Sequence, residues 1–329
     1  MKSKSRIFIT GANGLLATNT IIQLLSQGYI VRGLLRDINK YVGPKHKNLE
    51  LIKGDILNKN KLIRDIKNCD YAVHIAALTD QNRTEYIDYE QTNVNGTKNV
   101  AFACKINKVK KLVYVSTANV FGHGNKSNLG NEDMSMKEPF TSSYYAVSKL
   151  RAQEFIKTYS KDLEVSIINP TFMIGPYDVK PSSGKIIVMG LKNSIVFCPP
   201  GGKNFVSVSD VSKAIIKSLK KSINRDAIII ANENMTFMEF FKRLRMQSNK
   251  KYRIVKIPKY LMLSIGYFGN LLHTLGINSN LSLNNMKILC LNNFYSNKKS
   301  IRNIEMHYEP FDKSLNVALK WFEKRYNNY

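Results

Sequence analysis

The run Arg6-Ile7-Phe8-Ile9 gives way at once to Thr10-Gly11-Ala12-Asn13-Gly14-Leu15-Leu16-Ala17, and no other stretch so narrows the folds open to this chain. A short apolar strand, a glycine turn and a helical pattern (Leu15, Leu16, Thr20, Ile21, Leu24, Leu25) closed by Gly28 make a strand-turn-helix unit. In such a unit Gly11 permits the tight turn, Gly14 lets backbone approach a pyrophosphate, and Ala17 sits where helix meets strand. The free N–H groups and partial positive charge at the helix start favour an anion. Asn13 and Leu15 border the same turn and join Gly11 and Gly14 as candidate dinucleotide contacts. The competing account is a plain strand-to-helix turn.

Punctuation and periodicity place further strands at 29–35, 49–53, 71–75 and 111–116, alternating with helices near 15–27, 58–67 and 92–107. That alternation marks parallel βαβ units. A long helix is expected over 142–159, followed by a strand at 164–168 that Pro170 ends. Pro176, Pro181, Gly184 and Pro199-Pro200-Gly201-Gly202 then mark irregular chain before a helix starting at Val206, a strand at 227–231 and a helix near 236–247. The expected fold is α/β, a Rossmann-type doubly wound parallel sheet with a smaller C-terminal substrate lobe. Residues 1–170, with returning segments near 203–231, form the nucleotide domain; 171–202 and 232–329 form the lobe. Hydrophobic content of 43% is ample for a core, and no low-complexity linker divides the chain.

Cys69, Cys104, Cys198 and Cys290 stand far apart, without the close pairs of a zinc site or redox motif, and the five histidines are equally scattered. No metal is expected. The apolar run after Lys2, Lys4 and Arg6 is too short for a signal-peptide core, which points to the cytoplasm. Net charge is +26, and no Asp or Glu occurs between Glu239 and Glu305 while Lys242, Arg243, Arg245, Lys250, Lys251 and Arg253 crowd the start of that stretch. Such a field draws anions: an acidic small molecule, an anionic membrane surface or nucleic acid. It also fits a chain simply rich in Lys, Asn and Ile.

A nucleotide site does not by itself imply chemistry. Tyr145-Ala146-Val147-Ser148-Lys149 supplies an acid/base candidate, since residues four apart share a helix face and Lys149 would lie near the Tyr145 phenol. A cation there favours the phenolate; a depression of roughly three pKa units is worth about 4 kcal/mol. Tyr41 with Lys45, Tyr252 with Lys256 and Tyr295 with Lys299 have the same spacing. Context separates the 145/149 pair from them: it follows the strand ending Val115-Ser116-Thr117, whose carboxyl edge is where ligands of such sheets bind. Thr117 could hydrogen-bond the reacting oxygen, or only cap a turn.

Together with Gly54-Asp55-Ile56, Val73-His74-Ile75-Ala76-Ala77, Asn93-Val94-Asn95-Gly96-Thr97 and Asn169-Pro170-Thr171, these motifs resemble the extended short-chain dehydrogenase/reductases. That family includes sugar-nucleotide epimerases and dehydratases, 3β-hydroxysteroid dehydrogenases and dihydroflavonol-type reductases. The resemblance, from Thr10 to about Val211, implies that Asp55 and Ile56 contact adenine and that the Ala76-Ala77 backbone lies against the cofactor. It implies too that Asn93 supports the site, that Val115 borders it, that Lys149 binds the nicotinamide ribose and that Pro170 lies beside the nicotinamide. Ala17 stands where many relatives have a third glycine, and Thr117 where serine is usual.

At the end of the second strand Arg36 precedes Asp37. An acid there would bind both ribose hydroxyls of NAD, an arginine the extra phosphate of NADP. NADP is favoured and NAD stays open. With Tyr145 as acid/base and Thr117 steadying the oxyanion, the chain would reduce a carbonyl of a small apolar or ring-containing substrate. Epimerisation or dehydration of a nucleotide-sugar, and a nonenzymatic NADP-binding sensor or scaffold, are the alternatives. Residues 258–277 are apolar, lack acids and follow the basic cluster, so they form either a lobe helix packed on the core or a helix lying on an anionic membrane. No nucleic-acid module is present, and a homodimer is common in the family.

Overall fold

The computed structural model describes residues 5–80, 85–159, 163–221, 225–275, 277 and 281–326. In chain order the strands are β1 (Arg6–Thr10), β2 (Ile30–Leu35), β3 (Leu49–Lys53), β4 (Tyr71–His74), β5 (Lys111–Val115), β6 (Glu164–Pro170), β7 (Phe172–Ile174), β8 (Ile195–Cys198), β9 (Gly202–Ser207), β10 (Ala227–Ile230), β11 (Glu233–Thr236), β12 (Arg253–Lys256) and β13 (Asn292–Asn293). The helices are α1 (Leu15–Ser26), α2 (Lys59–Ile66), α3 (Tyr86–Tyr89), α4 (Gly96–Ile106), α5 (Tyr144–Tyr159), α6 (Lys185–Lys192), α7 (Val208–Lys220), α8 (Phe237–Ser248), α9 (Lys259–Thr274), α10 (Leu283–Cys290), α11 (Lys298–Ile304) and α12 (Phe311–Tyr326).

Seven strands run parallel in the order β10-β6-β5-β4-β1-β2-β3. Alternate side chains leave opposite faces of a strand, so Phe8 joins one apolar cluster while Ile7 and Ile9 join another. The first cluster takes Leu62 of α2, Val100 of α4 and Ala152 of α5; the second takes Ile21 of α1 and Ile215 of α7. Helices thus cover both faces, which is why the central strands are mostly apolar. The chain winds outward from β1 through β2 to β3, then returns to β4 on the other side. That reversal opens a crevice at the carboxyl ends of β1 and β4.

The α1 helix ends on Gly28, whose φ of +83° lets Gly28 N–H reach the Leu25 carbonyl and Tyr29 N–H the Leu24 carbonyl. The expected long helix over 142–159 is a 3-10 turn, Phe140–Ser142, followed by α5 from Tyr144. Upstream, the expected helix over 92–107 starts earlier, at Tyr86, and passes through a π-helical turn at Glu90–Asn95 before α4.

Beyond Pro170 the chain is less irregular than its Pro and Gly content implies. It builds a small sheet, with β11, β13 and β7 all paired to β9, and a β8-β12 ribbon, over a core of Phe205, Phe240, Phe311 and Phe322. Val206 and Ser207, expected to open a helix, instead end β9. The helix starts one residue later, with the Ser207 side chain accepting from Ser209 N–H as its cap. At the outer edge of the large sheet, Glu132 Oε1 accepts the Ile229 N–H of β10 at 2.8 Å. No described helix is long and apolar enough to cross a membrane.

Candidate active site

The turn after β1 is built for close backbone approach. Gly11 has a φ of +72°, and a Cβ there would meet Ala76 Cα at 3.0 Å. A side chain would therefore push the turn off the strand end that follows β4. Ala12 N–H bonds the Leu34 carbonyl at 3.0 Å, and Gly14 N–H folds back on the Gly11 carbonyl at 2.9 Å. Gly14 is exposed and caps α1 without any side-chain hydrogen bond, so the helix opens on bare backbone donors. Asn13 and Leu15 flank it, partly exposed, and Ala17 is fully buried beneath. A cradle of this kind at the crevice between β1 and β4 fits a dinucleotide pyrophosphate.

Below that turn lies a directed chain of hydrogen bonds absent from the sequence-based account. Thr10 Oγ1 accepts from Ile75 N and Ala76 N, each at 3.1 Å. With its lone pairs engaged, the hydroxyl donates its proton to His74 Nδ1 at 2.8 Å. The other ring nitrogen, Nε2, must then carry the proton that reaches Thr97 Oγ1 at 3.0 Å, and Thr97 donates to the Asn93 carbonyl at 2.6 Å. Asn93, on the π-helical turn, continues the chain through Nδ2 to Ser148 Oγ at 2.9 Å, and Ser148 donates to the Tyr145 carbonyl at 2.8 Å. Its Oδ1 and Nδ2 also clasp both backbone groups of Leu78. The glycine turn, the β4 loop holding Ala76 and Ala77, and α5 are in this way one bonded unit. Burial, with Lys149 nearby, pushes the His74 pKa down to about 3, which keeps the ring neutral and the direction fixed.

Tyr145 and Thr117 are neighbours, close enough for the Thr117 hydroxyl to lower the phenol's pKa; that hydroxyl accepts from Asn119 N at 3.3 Å and so caps the turn Ala118–Val120. Lys149, one helical turn beyond Tyr145, donates its Nζ to the Val115 carbonyl at 2.7 Å and lies 4.3 Å from the Tyr114 ring centre. The expected lowering of the Tyr145 pKa by Lys149 does not occur in this arrangement. Burial raises the half-buried phenol to about 12, against a smaller lowering by Thr117, and burial drops the Lys149 amine to about 7. Spacing placed the pair on one helix; desolvation outweighs their mutual charge.

Of the four Tyr/Lys pairs with this spacing, 145/149 alone lies within one helix among the described residues; Tyr252 bonds the Phe241 carbonyl and Tyr295 is buried beside β13. Tyr41, in a loop, has its hydroxyl buried. Asn169, at the end of β6, donates to the Thr117 carbonyl at 3.0 Å and to Gln153 Oε1 of α5 at 2.8 Å. Pro170 follows it, buried and in register with Ile230. Arg36 is exposed beyond β2 and makes no ion pair among the described residues, whereas Asp37 caps the turn Ile38–Lys40 and pairs with Lys40 at 3.2 Å. Asp55 accepts from Leu57 N–H at 2.9 Å and borders a surface depression of about 720 Å³. Ile56 departs from the pattern: its side chain is buried against Gly96, which leaves backbone as its face toward a ligand.

Lys203 escaped the sequence argument. It sits on β9 with its Nζ 5.4 Å from the Phe172 ring centre and no ion pair among the described residues, and burial lowers its amine to about 8. Only the isolation of this lysine between Gly202 and Asn204 could have drawn notice in the sequence, a weak signal in so basic a chain.

The sequence profile of the NAD dependent epimerase/dehydratase family matches residues 7–231. The chain is 26% identical to a bifunctional dihydroflavonol 4-reductase/flavanone 4-reductase of Pyrus communis, over 77% of this chain and 78% of that one. It is 25% identical to sterol demethylase protein B of Methylococcus capsulatus, over 78% and 79%. A UDP-N-acetylglucosamine 4-epimerase from Methanobrevibacter ruminantium M1, solved in complex with UDP-N-acetylmuramic acid, superposes with a TM-score of 0.79 at 19% identity, covering 98% of this chain and 99% of that one. That last likeness concerns the fold.

Proposed function

The chain belongs to the NAD dependent epimerase/dehydratase family, and from that premise we propose that it is an NADP-dependent reductase acting on a carbonyl of a small apolar or ring-containing substrate. The observation that carries the proposal is the placement of Thr117 beside the Tyr145 phenol at the carboxyl edge of β5, with Lys149 one turn further along α5. A nicotinamide dinucleotide held by the turn of Gly11 and Gly14 would supply the hydride. Tyr145 gives its proton to the oxygen that becomes the alcohol, and Thr117 holds that oxygen while charge grows on it. A phenol that stays protonated up to about 12 enters the neutral range as a donor, which reduction requires and alcohol oxidation does not. Lys149 steadies the β5 end through the Val115 carbonyl and offers its amine to a ribose hydroxyl. Arg36 would take the 2′-phosphate of NADP, since Asp37 is already engaged by its own turn.

A second reading rests on Lys203. A partly buried amine with no carboxylate partner among the described residues suits a substrate that brings its own anion, as a nucleotide-sugar does. The test runs NADPH and NADH against a panel of ketones and aldehydes and, in parallel, against UDP-sugars. Net oxidation of NADPH by an apolar ketone, about tenfold or more faster than with NADH and levelled by Arg36→Ala, is the expected result. Interconversion of UDP-sugars by a tightly copurifying dinucleotide, with no net redox change, overturns it in favour of the second.

A further inference from the structure

One helix of the lobe faces solvent with the wrong side. On α9 the positions Met262, Gly266 and Gly269 are buried, and the glycines exist for contact: a Cβ at Gly266 would meet Leu283 Cα at 2.8 Å, and one at Gly269 would run into the Leu281 carbonyl. The small face is packed against α10. The opposite stripe, at helical spacing, is Tyr260 (74% exposed), Tyr267 (65%), Phe268 (57%) and Leu271 (55%), with Leu261 alongside. From Tyr260 to Leu272 the helix carries no charged residue. A soluble helix ordinarily shows the reverse pattern, polar outward and apolar inward.

The chain that flanks that stripe is basic. From Phe240 to Ile304 every ionised side chain is Lys or Arg. Arg243 is neutralised by Glu233, but Lys250, Lys251, Lys256 and Lys259 make no ion pair among the described residues. A shallow depression of about 610 Å³, lined by Arg245, Met246, Lys250, Lys251 and Arg253, lies just before β12, which leads directly into α9. Met246 is 77% exposed there, and Phe197, on the strand paired to β12, is 57% exposed.

We propose that α9 lies in the interfacial plane of an anionic lipid bilayer, with Tyr260, Tyr267, Phe268 and Leu271 among the acyl chains and the neighbouring lysines and arginines on the phosphate headgroups. Unpaired cations flanking an uncharged apolar stripe are the features such a surface recognises. A second copy of the chain would set the same cations against each other, which electrostatics opposes. The helix is also too short to span: sixteen residues rise about 24 Å against roughly 30 Å of hydrocarbon. The surface is close to the chemistry, because α9 packs on α10, and Ile288 of α10 packs with Ala146, the neighbour of Tyr145.

Co-sedimentation of the whole chain with phosphatidylglycerol/phosphatidylcholine vesicles, against phosphatidylcholine alone, tests this. Binding to the anionic vesicles should exceed that to neutral ones by about tenfold or more and be reversed by high salt. The double variant Phe268→Asp/Leu271→Asp should lose it while keeping the wild-type circular dichroism, melting temperature and sedimentation coefficient. Lys250→Glu/Lys251→Glu, away from the helix, should weaken it in the same direction. No binding, equal binding to neutral vesicles, retained binding by both variants, or a wild-type self-association that the Asp variant dissolves each overturns the proposal.

Discussion

Tyr145 keeps its proton because partial burial outweighs the lowering effect of the Thr117 hydroxyl. Removing the phenolic oxygen in Tyr145→Phe should cut kcat by about 10²- to 10⁴-fold while leaving NADPH affinity, read by fluorescence titration, near the wild-type value; full turnover would remove Tyr145 from the mechanism. Thr117→Ala carries a second cost, since the same oxygen caps a turn, so Thr117→Ser is the cleaner control. His74 makes a different demand. Its folded pKa of about 3 lies below the ordinary 6.5, so the neutral ring contributes stability above pH 6.5 that is lost progressively as pH falls toward 3. Below 6.5 the unfolded chain binds a proton that the folded one refuses, a slope of about 1.4 kcal/mol per pH unit. Urea unfolding of His74→Gln at pH 6.5 and pH 5 should show a shallower fall than wild type; an unchanged slope would mean that His74 titrates normally.

At the level of elements, Gly11→Ala should disturb the β1–α1 turn through both its φ of +72° and the approach to Ala76 Cα, at a cost of about 1–2 kcal/mol. NADPH affinity should fall with it, and wild-type values for both would show that the turn has room. This unit was readable from residues alone, because a strand, a glycine turn and a capped helix each leave a local mark. So were the first five strands, bounded by Gly, Asn and Asp. The strands of the lobe were not, although its helix near 236–247 was: β7, β8, β11, β12 and β13 are two to four residues long, too short for any period to show. The same limit applies inside the site. Thr117, Tyr145 and Lys149 were visible as types at a spacing, but Asn169 with Gln153, and Thr10 with His74 and Thr97, meet only through tertiary packing. Burial, the quantity that decides the Tyr145 pKa, has no local signature.

For the molecule as a whole, a net charge of +26 means that like charges repel across a compact body. Raising the salt so that the Debye length shrinks from about 30 Å to about 8 Å should raise the melting temperature; a fall would show that ion pairs such as Lys213 with Glu309 outweigh the repulsion. The seven-stranded sheet ends at β10, where the carboxylate of Glu132 already holds the outward Ile229 amide. An outermost strand with idle donors is where one molecule's sheet can be extended by the next. Here the Glu132 carboxylate occupies the seat at Ile229, so a strand arriving from another copy finds that rung already taken.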